Sequence, residues 1–185
     1  MGQDSSDEDL MMRYRDGDAG AFEVLYRRHK GPLYRYILRQ CGRHAVDELF
    51  QDVWTRVIQA RERYQASASF KTFLFHIARN RLVDHYRRQG TGRDFDVPDG
   101  IAEESIPARV SDQPERQVHA GQQIEQLLML VRDLPAEQRE AFLLHEEAGL
   151  AVAGIAEVTG VGHETAKSRL RYALQRLREG LREWV

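Results

Sequence analysis

The feature that most constrains the fold is an apolar pattern of helical period that recurs through most of the chain. Apolar side chains follow one another at steps of three and four residues within 22–38, 46–58, 70–86 and 124–181. This spacing places them on one face of an α-helix. The stripe within 46–58 is unbroken and begins with the acidic turn Asp47-Glu48, whereas Gly31-Pro32 predicts a kink or a restart in the first stretch. The sequence therefore predicts an all-α fold.

One segment lacks this pattern and divides the chain. Glycine, proline and acidic residues dominate from about 90 to 114, and Arg109 is the only basic residue between Asp94 and Glu115. Such composition is typical of a linker. We predict an acidic N-terminal segment (1–17), a first small helical domain (18–90), a flexible acidic linker (91–117) and a second small helical domain (118–185).

Charge is segregated along the chain although the net charge is only −2. The first residues and the predicted linker are acidic, whereas the stretch from Arg79 to Arg93 and the last helix are rich in arginine. Two separate basic surfaces are therefore available to meet a polyanion such as nucleic acid.

Several classes of protein are disfavoured by what the sequence lacks. Cys41 is the only cysteine, which excludes an intramolecular disulfide and cysteine-rich zinc clusters, and none of the seven histidines stands in a metal motif. Phosphate-binding glycine loops and nucleophile elbows are absent, so we expect neither an enzyme nor a cofactor or metal. No stretch approaches a membrane span and no signal peptide opens the chain, which predicts a cytoplasmic protein without membrane insertion.

The strongest local pattern is a helix-turn-helix within 155–170. Ala156 allows two helices to approach closely, Gly160-Val161-Gly162 reverses the chain, and the second helix carries polar residues at its start. Hydrogen-bond donors there suit the major groove of DNA. The alternative interpretation is a plain helical bundle with a solvated basic face.

A second pattern is the aromatic and basic helix within 70–88. Aromatic rings beside cations suit unstacked bases of single-stranded nucleic acid, because every base offers a ring face and a phosphate. The alternative is equally simple: Phe70, Phe73, Leu74 and Ile77 are needed as core in so small a domain.

Taken in order, these stretches resemble the extracytoplasmic-function sigma factors of the sigma-70 family over nearly the whole chain. The stretch 21–26 resembles the opening helix of conserved region 2, 47–54 its polymerase-binding helix, and 70–84 the segment that opens the −10 element. The stretches 134–139 and 155–170 resemble region 4, which reads the −35 element. The order of the stretches is more specific than any one of them.

The resemblance implies a transcription initiation factor of stress responses that binds core RNA polymerase (β′ clamp helices and β flap), promoter DNA and an anti-sigma factor. For polymerase binding it implies Asp47, Leu49, Phe50, Gln51, Asp52 and Trp54. For binding and melting the −10 element it implies Tyr64, Ser67, Ser69, Phe70, Arg79, Asn80, Arg87 and Arg88. For the −35 element it implies Thr165, Lys167, Ser168, Arg171, Tyr172 and Arg176.

The chain departs from the family pattern at three positions. Gly154 stands where a glutamate commonly precedes the Ile-Ala pair, Ala151 replaces the usual Ser or Thr cap, and Tyr172 sits where an arginine is frequent. The missing cap predicts a less stable first helix of the motif.

Two other functions fit part of the pattern. A stand-alone helix-turn-helix regulator would bind symmetric duplex sites, and a protein-only adaptor would show no salt-dependent affinity for DNA. For a sigma factor we predict that the free chain binds promoter duplex weakly, because the acidic linker and N-terminus cover basic surface until polymerase separates the domains.

Overall fold

A computed structural model of the chain describes residues 5–67, 69–90 and 114–182, with the backbone alone for 114–122. These residues contain no strand, and the predicted all-α fold is confirmed. A short 3₁₀ turn, Arg61–Arg63, follows the third helix. The α-helices are α1 (Asp7–Arg15), α2 (Ala19–Cys41), α3 (Arg43–Ala60), α4 (Phe70–Arg88), α5 (Pro114–Arg132), α6 (Ala136–Glu146), α7 (Val152–Thr159) and α8 (His163–Arg182).

The core of the N-terminal domain lies between α2, α3 and α4. The apolar stripe predicted on 46–58 forms the inner face of α3, where Val46, Leu49, Val53 and Val57 are at most 1% exposed. Trp54 meets Phe22 edge to face at 5.7 Å between ring centroids. Burial of these side chains is the main source of stability in a domain of this size.

Of the predicted kink or restart at Gly31-Pro32, the restart is not seen, because α2 runs as one helix with Pro32 inside it. Proline has no N–H and removes one bond of the helix ladder. Leu25 before it and Leu33 and Ile37 after it are fully buried against the same core. Tertiary contacts on both sides therefore hold the helix together across the missing bond.

The acidic N-terminal segment contains a helix that belongs to the first domain. Ser6 caps α1, and its side-chain oxygen accepts a hydrogen bond from the Asp9 N–H at 3.0 Å. Leu10 and Met11 are buried at 1% and 0% exposure, and α1 packs on α2 and α4. The sequence did not predict this helix, because its nine residues present only a short apolar stripe among charged residues.

The C-terminal domain is a bundle of α5 to α8. Its core contains Val131 of α5, Leu143 of α6, Ile155 of α7 and Ala173 of α8, each at most 4% exposed. Helix α5 begins at Pro114, within the predicted linker 91–117, and the linker residues before Pro114 lie outside the described residues. None of the helices described is long and apolar enough to cross a membrane.

Candidate nucleic-acid interface

The helix-turn-helix predicted within 155–170 is formed by α7, a short turn and α8. Gly160 ends α7 in the left-handed conformation (φ 69°, ψ 30°), which glycine adopts without the steric penalty of a side chain. The Val161 N–H donates to the Ala156 carbonyl at 3.1 Å across the turn. Ala151 caps α7 without a side-chain hydrogen bond, as its methyl group requires. The turn sets the angle between α7 and α8.

Helix α8 has a buried and an exposed side. Ala166, Leu170, Ala173 and Leu177 are at most 8% exposed, while Leu181, which the apolar pattern also places inside, is 38% exposed. The opposite side carries the residues that sequence analysis assigned to the −35 element. Of these, Ser168 is partly buried and the others are exposed: Thr165, Lys167, Arg171, Tyr172 and Arg176.

The start of α8 and the start of α6 border an open cleft. Glu137 of α6 pairs with Arg169 of α8 at 2.9 Å, and both residues line the cleft together with Tyr172. The Arg171 guanidinium carbon lies 4.9 Å from the centroid of the Tyr172 ring. Stacked in this way, Arg171 and Tyr172 present one cation and one aromatic edge outward.

An exposed loop joins the 3₁₀ turn to α4 between two buried aromatic residues. Tyr64 before the loop is 4% exposed and Phe70 after it is 0% exposed, with their ring centroids 6.4 Å apart. Between them Gln65, Ser67 and Ser69 are exposed. We call the described residues 65–67 and 69 the 65–69 loop; residue 68 lies outside the described residues. Tyr64 and Phe70 support this loop from beneath and do not offer a free ring face.

The basic residues of α4 are divided between two environments. Arg87 and Arg88 are exposed in its last turn, and Asn80 is exposed with its amide nitrogen 3.3 Å from Nδ1 of His76. Arg79 instead donates to Glu140 of α6 at 2.8 Å. Glu140 is 2% exposed, and this burial raises the pKa of its carboxyl, which the Arg79 charge opposes.

The residues assigned to polymerase binding lie on both sides of α3. Leu49 and Trp54 are buried at 1% and 5% exposure, so they belong to the core. Asp47 and Gln51 are exposed one turn apart, and Phe50 is partly exposed. Asp52 accepts from Arg81 of α4, whose side chain is only 3% exposed. The surface of α3 that is available to a partner therefore contains fewer residues than the six assigned from the sequence.

The two domains contact each other directly through α4 and α7 and through ion pairs. Glu147, whose side chain is 6% exposed, accepts from Arg35 at 2.7 Å and from Arg39 of α2. Gly154 of α7 lies against α4 so closely that a Cβ atom at this position would be 3.4 Å from Thr72 Oγ1. We call this set of contacts the domain interface.

Glu140 and Glu147 were not predicted from the sequence to have a role, although both form ion pairs across the domain interface. Their partners are 61 residues away for Glu140 and 112 and 108 residues away for Glu147. Neither residue stands in a motif, and each lies on a helix beside other charged residues. A pattern within one helix therefore carries no sign of these pairs.

Comparison with known proteins covers both domains. Residues 25–91 match the family model of sigma-70 region 2, and residues 124–177 match that of sigma-70 region 4. The ECF RNA polymerase sigma factor RpoE of Cereibacter sphaeroides is 33% identical over 174 residues, which span 92% of each chain. SigM of Mycobacterium tuberculosis, another such factor, is 30% identical, across 93% of this chain and 83% of that one. SigE of Mycolicibacterium smegmatis is also 30% identical, but the chain spans 64% of its length.

Solved structures show the same fold. CnrH, in complex with the cytosolic domain of CnrY, has a TM-score of 0.69 at 19% identity, with 97% of this chain and 99% of that chain covered. The sigma factor RpoE in complex with the anti-sigma factor NepR, from Bartonella quintana, has a TM-score of 0.69 at 22% identity, with 87% and 96% covered. The chain belongs to the extracytoplasmic-function sigma factors of the sigma-70 family, the transcription initiation factors that direct RNA polymerase to promoters.

Proposed function

We propose that the N-terminal domain binds core RNA polymerase and melts the −10 element, while α8 of the C-terminal domain binds the −35 element as duplex. The observation that carries this proposal is the presence of two distinct exposed polar surfaces, one in each domain matched by a sigma-70 region. The first is the 65–69 loop with the end of α4, and the second is the outer side of α8. A stand-alone regulator needs only the second.

Polymerase binding is assigned to the exposed face of α3, with the β′ clamp helices as its partner. Asp47, Phe50, Gln51 and Asp52 form this face, and the buried Leu49 and Trp54 set its orientation. The Tyr34 hydroxyl donates to Asp47 at 3.2 Å and steadies that carboxylate from α2. We further assign a second polymerase contact, between the C-terminal domain and the β flap.

Melting of the −10 element is assigned to the 65–69 loop and the adjoining face of α4. Ser67 and Ser69 offer hydroxyls to a base turned out of the duplex, and Asn80 offers an amide. Arg79, Arg87 and Arg88 would hold phosphates. Unstacking a base costs a few kcal/mol, so the protein must return that energy through such contacts.

Recognition of the −35 element is assigned to the outer side of α8. Lys167, Ser168, Arg171 and Tyr172 lie in the first half of α8, the part that would enter the major groove, and Arg176 lies one turn further along. Base contacts specify a sequence and phosphate contacts position the protein. We therefore assign promoter choice to the first four residues and affinity to Arg176.

In the free chain Glu140 accepts from Nε of Arg79 and holds this arginine in the domain interface, so we propose that the interface opens to free Arg79 for a phosphate. Weak promoter binding by the free chain was predicted from masking by the acidic linker and N-terminus. The described N-terminal carboxylates Asp7 and Glu8 instead contact groups of the N-terminal domain, and the linker lies outside the described residues. Glu140 is the acidic group that covers Arg79.

We further propose that the protein acts in the cytoplasm, has no enzymatic activity of its own, and is held inactive by an anti-sigma factor. Of the two solved structures cited above, CnrH is in complex with the cytosolic domain of CnrY and RpoE is in complex with the anti-sigma factor NepR. Both share this fold, which supports the proposal of a protein partner for this chain.

The test is run-off transcription with purified bacterial core polymerase on a pool of genomic promoter fragments, with and without the protein. Discrete start sites that require the protein, together with binding to core polymerase, are the expected result, and they reveal the −10 and −35 sequences. Symmetric duplex binding without any effect on core polymerase would favour the stand-alone regulator instead.

A further inference from the structure

Helix α1 lies outside the residues matched by the region 2 model, which begins at residue 25. It is nevertheless part of the N-terminal domain, with Leu10 and Met11 buried. It also contacts the 3₁₀ turn and α4, the two elements that the 65–69 loop connects. The helix is therefore placed where it can influence that loop.

Asp7 fixes the position of α1 on α2. Its carboxylate accepts from Arg28 at 2.8 Å and lies 2.6 Å from Nε2 of His29, and Arg28 also donates to the Ser5 carbonyl at 3.0 Å. The His29 ring is buried and lies 5.3 Å from the Phe70 ring, measured between centroids. These contacts set the side on which the next residue, Glu8, projects.

Glu8 binds the first residue of α4. Its Oε1 accepts a hydrogen bond from the Phe70 N–H at 2.8 Å. The first N–H groups of a helix have no partner within the helix, and Ser69 supplies one for Thr72 at 3.1 Å. Glu8 supplies another from a separate helix, and its negative charge is favourable at the positive end of the α4 dipole.

Glu8 and Asp7 also lie near the other end of the loop. The pKa of Tyr64 is raised to about 12, first by burial and then by the negative charges of Glu8 and Asp7. Tyr64 and Phe70 are thus both within reach of the start of α1, and the exposed 65–69 loop spans the short gap between them.

We infer that Glu8 is a positioning residue for promoter melting: its bond to the Phe70 N–H holds the start of α4 and with it the 65–69 loop that receives the −10 strand. The inference rests on the proposed function of that loop. Glu8 acts through Phe70 and Ser69 and does not itself touch DNA. Loss of the carboxylate leaves the fold and the polymerase-binding face of α3 in place but releases the loop.

The experiment compares Glu8→Ala and Glu8→Gln with the wild type and with Asp9→Ala. Asp9 is a matched control because it is acidic, stands in the same first turn of α1 and is exposed. For each holoenzyme, affinity is measured for a single-stranded −10 oligonucleotide and for a −35 duplex, both of the sequence found by run-off mapping. Opening of the promoter is followed by permanganate reactivity of −10 thymines, and binding to core polymerase is measured separately.

For Glu8→Ala we expect affinity for the −10 strand and the rate of opening to fall about tenfold, the scale of one hydrogen bond to a charged group. Affinities for core polymerase and for the −35 duplex should stay within about twofold of the wild-type values, because those contacts are made at sites distant from Glu8. Glu8→Gln keeps an acceptor oxygen and recovers most of the loss, and Asp9→Ala matches the wild type.

Two results would overturn the inference. One is a Glu8→Ala holoenzyme that binds the −10 strand and opens promoters like the wild type. The other is a parallel loss of −10, −35 and core binding that Glu8→Gln does not recover, which would show a merely structural role. Failure of the wild type to open any promoter with core polymerase would instead reject the proposed function, and the inference with it.

Discussion

Asp7 and its two basic neighbours make the stability of the N-terminal domain depend on pH. The hydrogen bond from His29 and the contacts with Arg28 lower the pKa of Asp7 from 3.8 to about 2, against the opposing effect of burial. A carboxyl with a lowered pKa in the folded state stabilises that state above its unfolded pKa. This contribution is lost as pH falls from about 4 toward 2.

We therefore predict that Asp7→Asn lowers the free energy of unfolding at pH 7 by about 1–2 kcal/mol. The free energy of unfolding of the variant should also fall less steeply than that of the wild type as pH decreases from about 4 toward 2. Chemical denaturation followed by circular dichroism between pH 2 and 7 measures both effects. Asp16→Asn is the control, because within the described part of the chain Asp16 pairs with Arg15 alone, at the surface. Identical pH profiles for Asp7→Asn and the wild type would contradict the prediction.

Single residues of α8 should separate promoter choice from promoter affinity. We predict that Arg176→Ala weakens −35 binding equally for all sequences and lowers the slope of log affinity against log salt by about 1. Ser168→Ala and Tyr172→Ala should instead change which sequences are preferred. Binding titrations on a randomised −35 duplex at several salt concentrations distinguish the two effects.

Gln175 provides the control for this comparison, since it is exposed beside Arg176 and carries no charge. Gln175→Ala is expected to leave both slope and preference unchanged. A change of sequence preference with Arg176→Ala would show that this arginine reads bases, contrary to its assignment.

Among the elements, α7 offers the simplest gain of stability. Ala151 has the extended backbone of an N-cap (φ −70°, ψ 165°) but no side-chain acceptor. We predict that Ala151→Ser raises the free energy of unfolding of the C-terminal domain by about 1 kcal/mol. Urea denaturation measures the change. Ala153→Ser, at an exposed position inside the same helix, should give no gain, and equal gains from both would contradict a capping effect.

The sequence predicted most elements because their apolar stripes are long. The stripe within 46–58 corresponds to α3, and the helix-turn-helix predicted within 155–170 corresponds to α7 and the first part of α8. The pattern did not predict α1, whose few apolar residues lie among charges, or the continuity of α2 across Pro32, which depends on contacts made elsewhere. Apolar periodicity predicts which face of a helix is buried, but it does not predict which other helix packs against that face.

For the whole molecule the same limit applies to the candidate sites. Sequence analysis placed Arg79 and the six residues of α8 by motif, and the structure brings the α8 set to one side of a single helix. The pairing of Arg79 with Glu140 could not be predicted, because the sequence offers several carboxylates and does not show which of them the fold buries beside Arg79. Roles in DNA and polymerase binding stay predictions.

The domain interface gives a prediction of its own. At Gly154 a Cβ would lie 3.3 Å from Leu150 Cδ2 and 3.4 Å from Thr72 Oγ1 of α4, so the Cβ alone would already touch the N-terminal domain, and a longer side chain must turn away from α4 or displace it. We predict that Gly154→Glu opens the interface, while the helix itself gains about 1 kcal/mol from loss of glycine. The radius of gyration from X-ray scattering should rise. The free chain should also bind a −10 strand more tightly, because Arg79 is released from Glu140.

Ala153→Glu is the matched control, since residue 153 is exposed on the same helix. It adds the same charge to α7 without entering the domain interface. An unchanged radius of gyration for Gly154→Glu, or an equal rise for both variants, would show that Gly154 is not what permits the close contact.

Cys41 has a consequence for how such movements can be observed. It is the only cysteine, it is 5% exposed, and burial raises the pKa of its thiol to about 12. Only the thiolate reacts readily with alkylating reagents, so Cys41 is nearly inert at neutral pH. A cysteine introduced at an exposed position of either domain can therefore carry a fluorescent dye without removal of the native one, and paired dyes would report the distance between domains in real time.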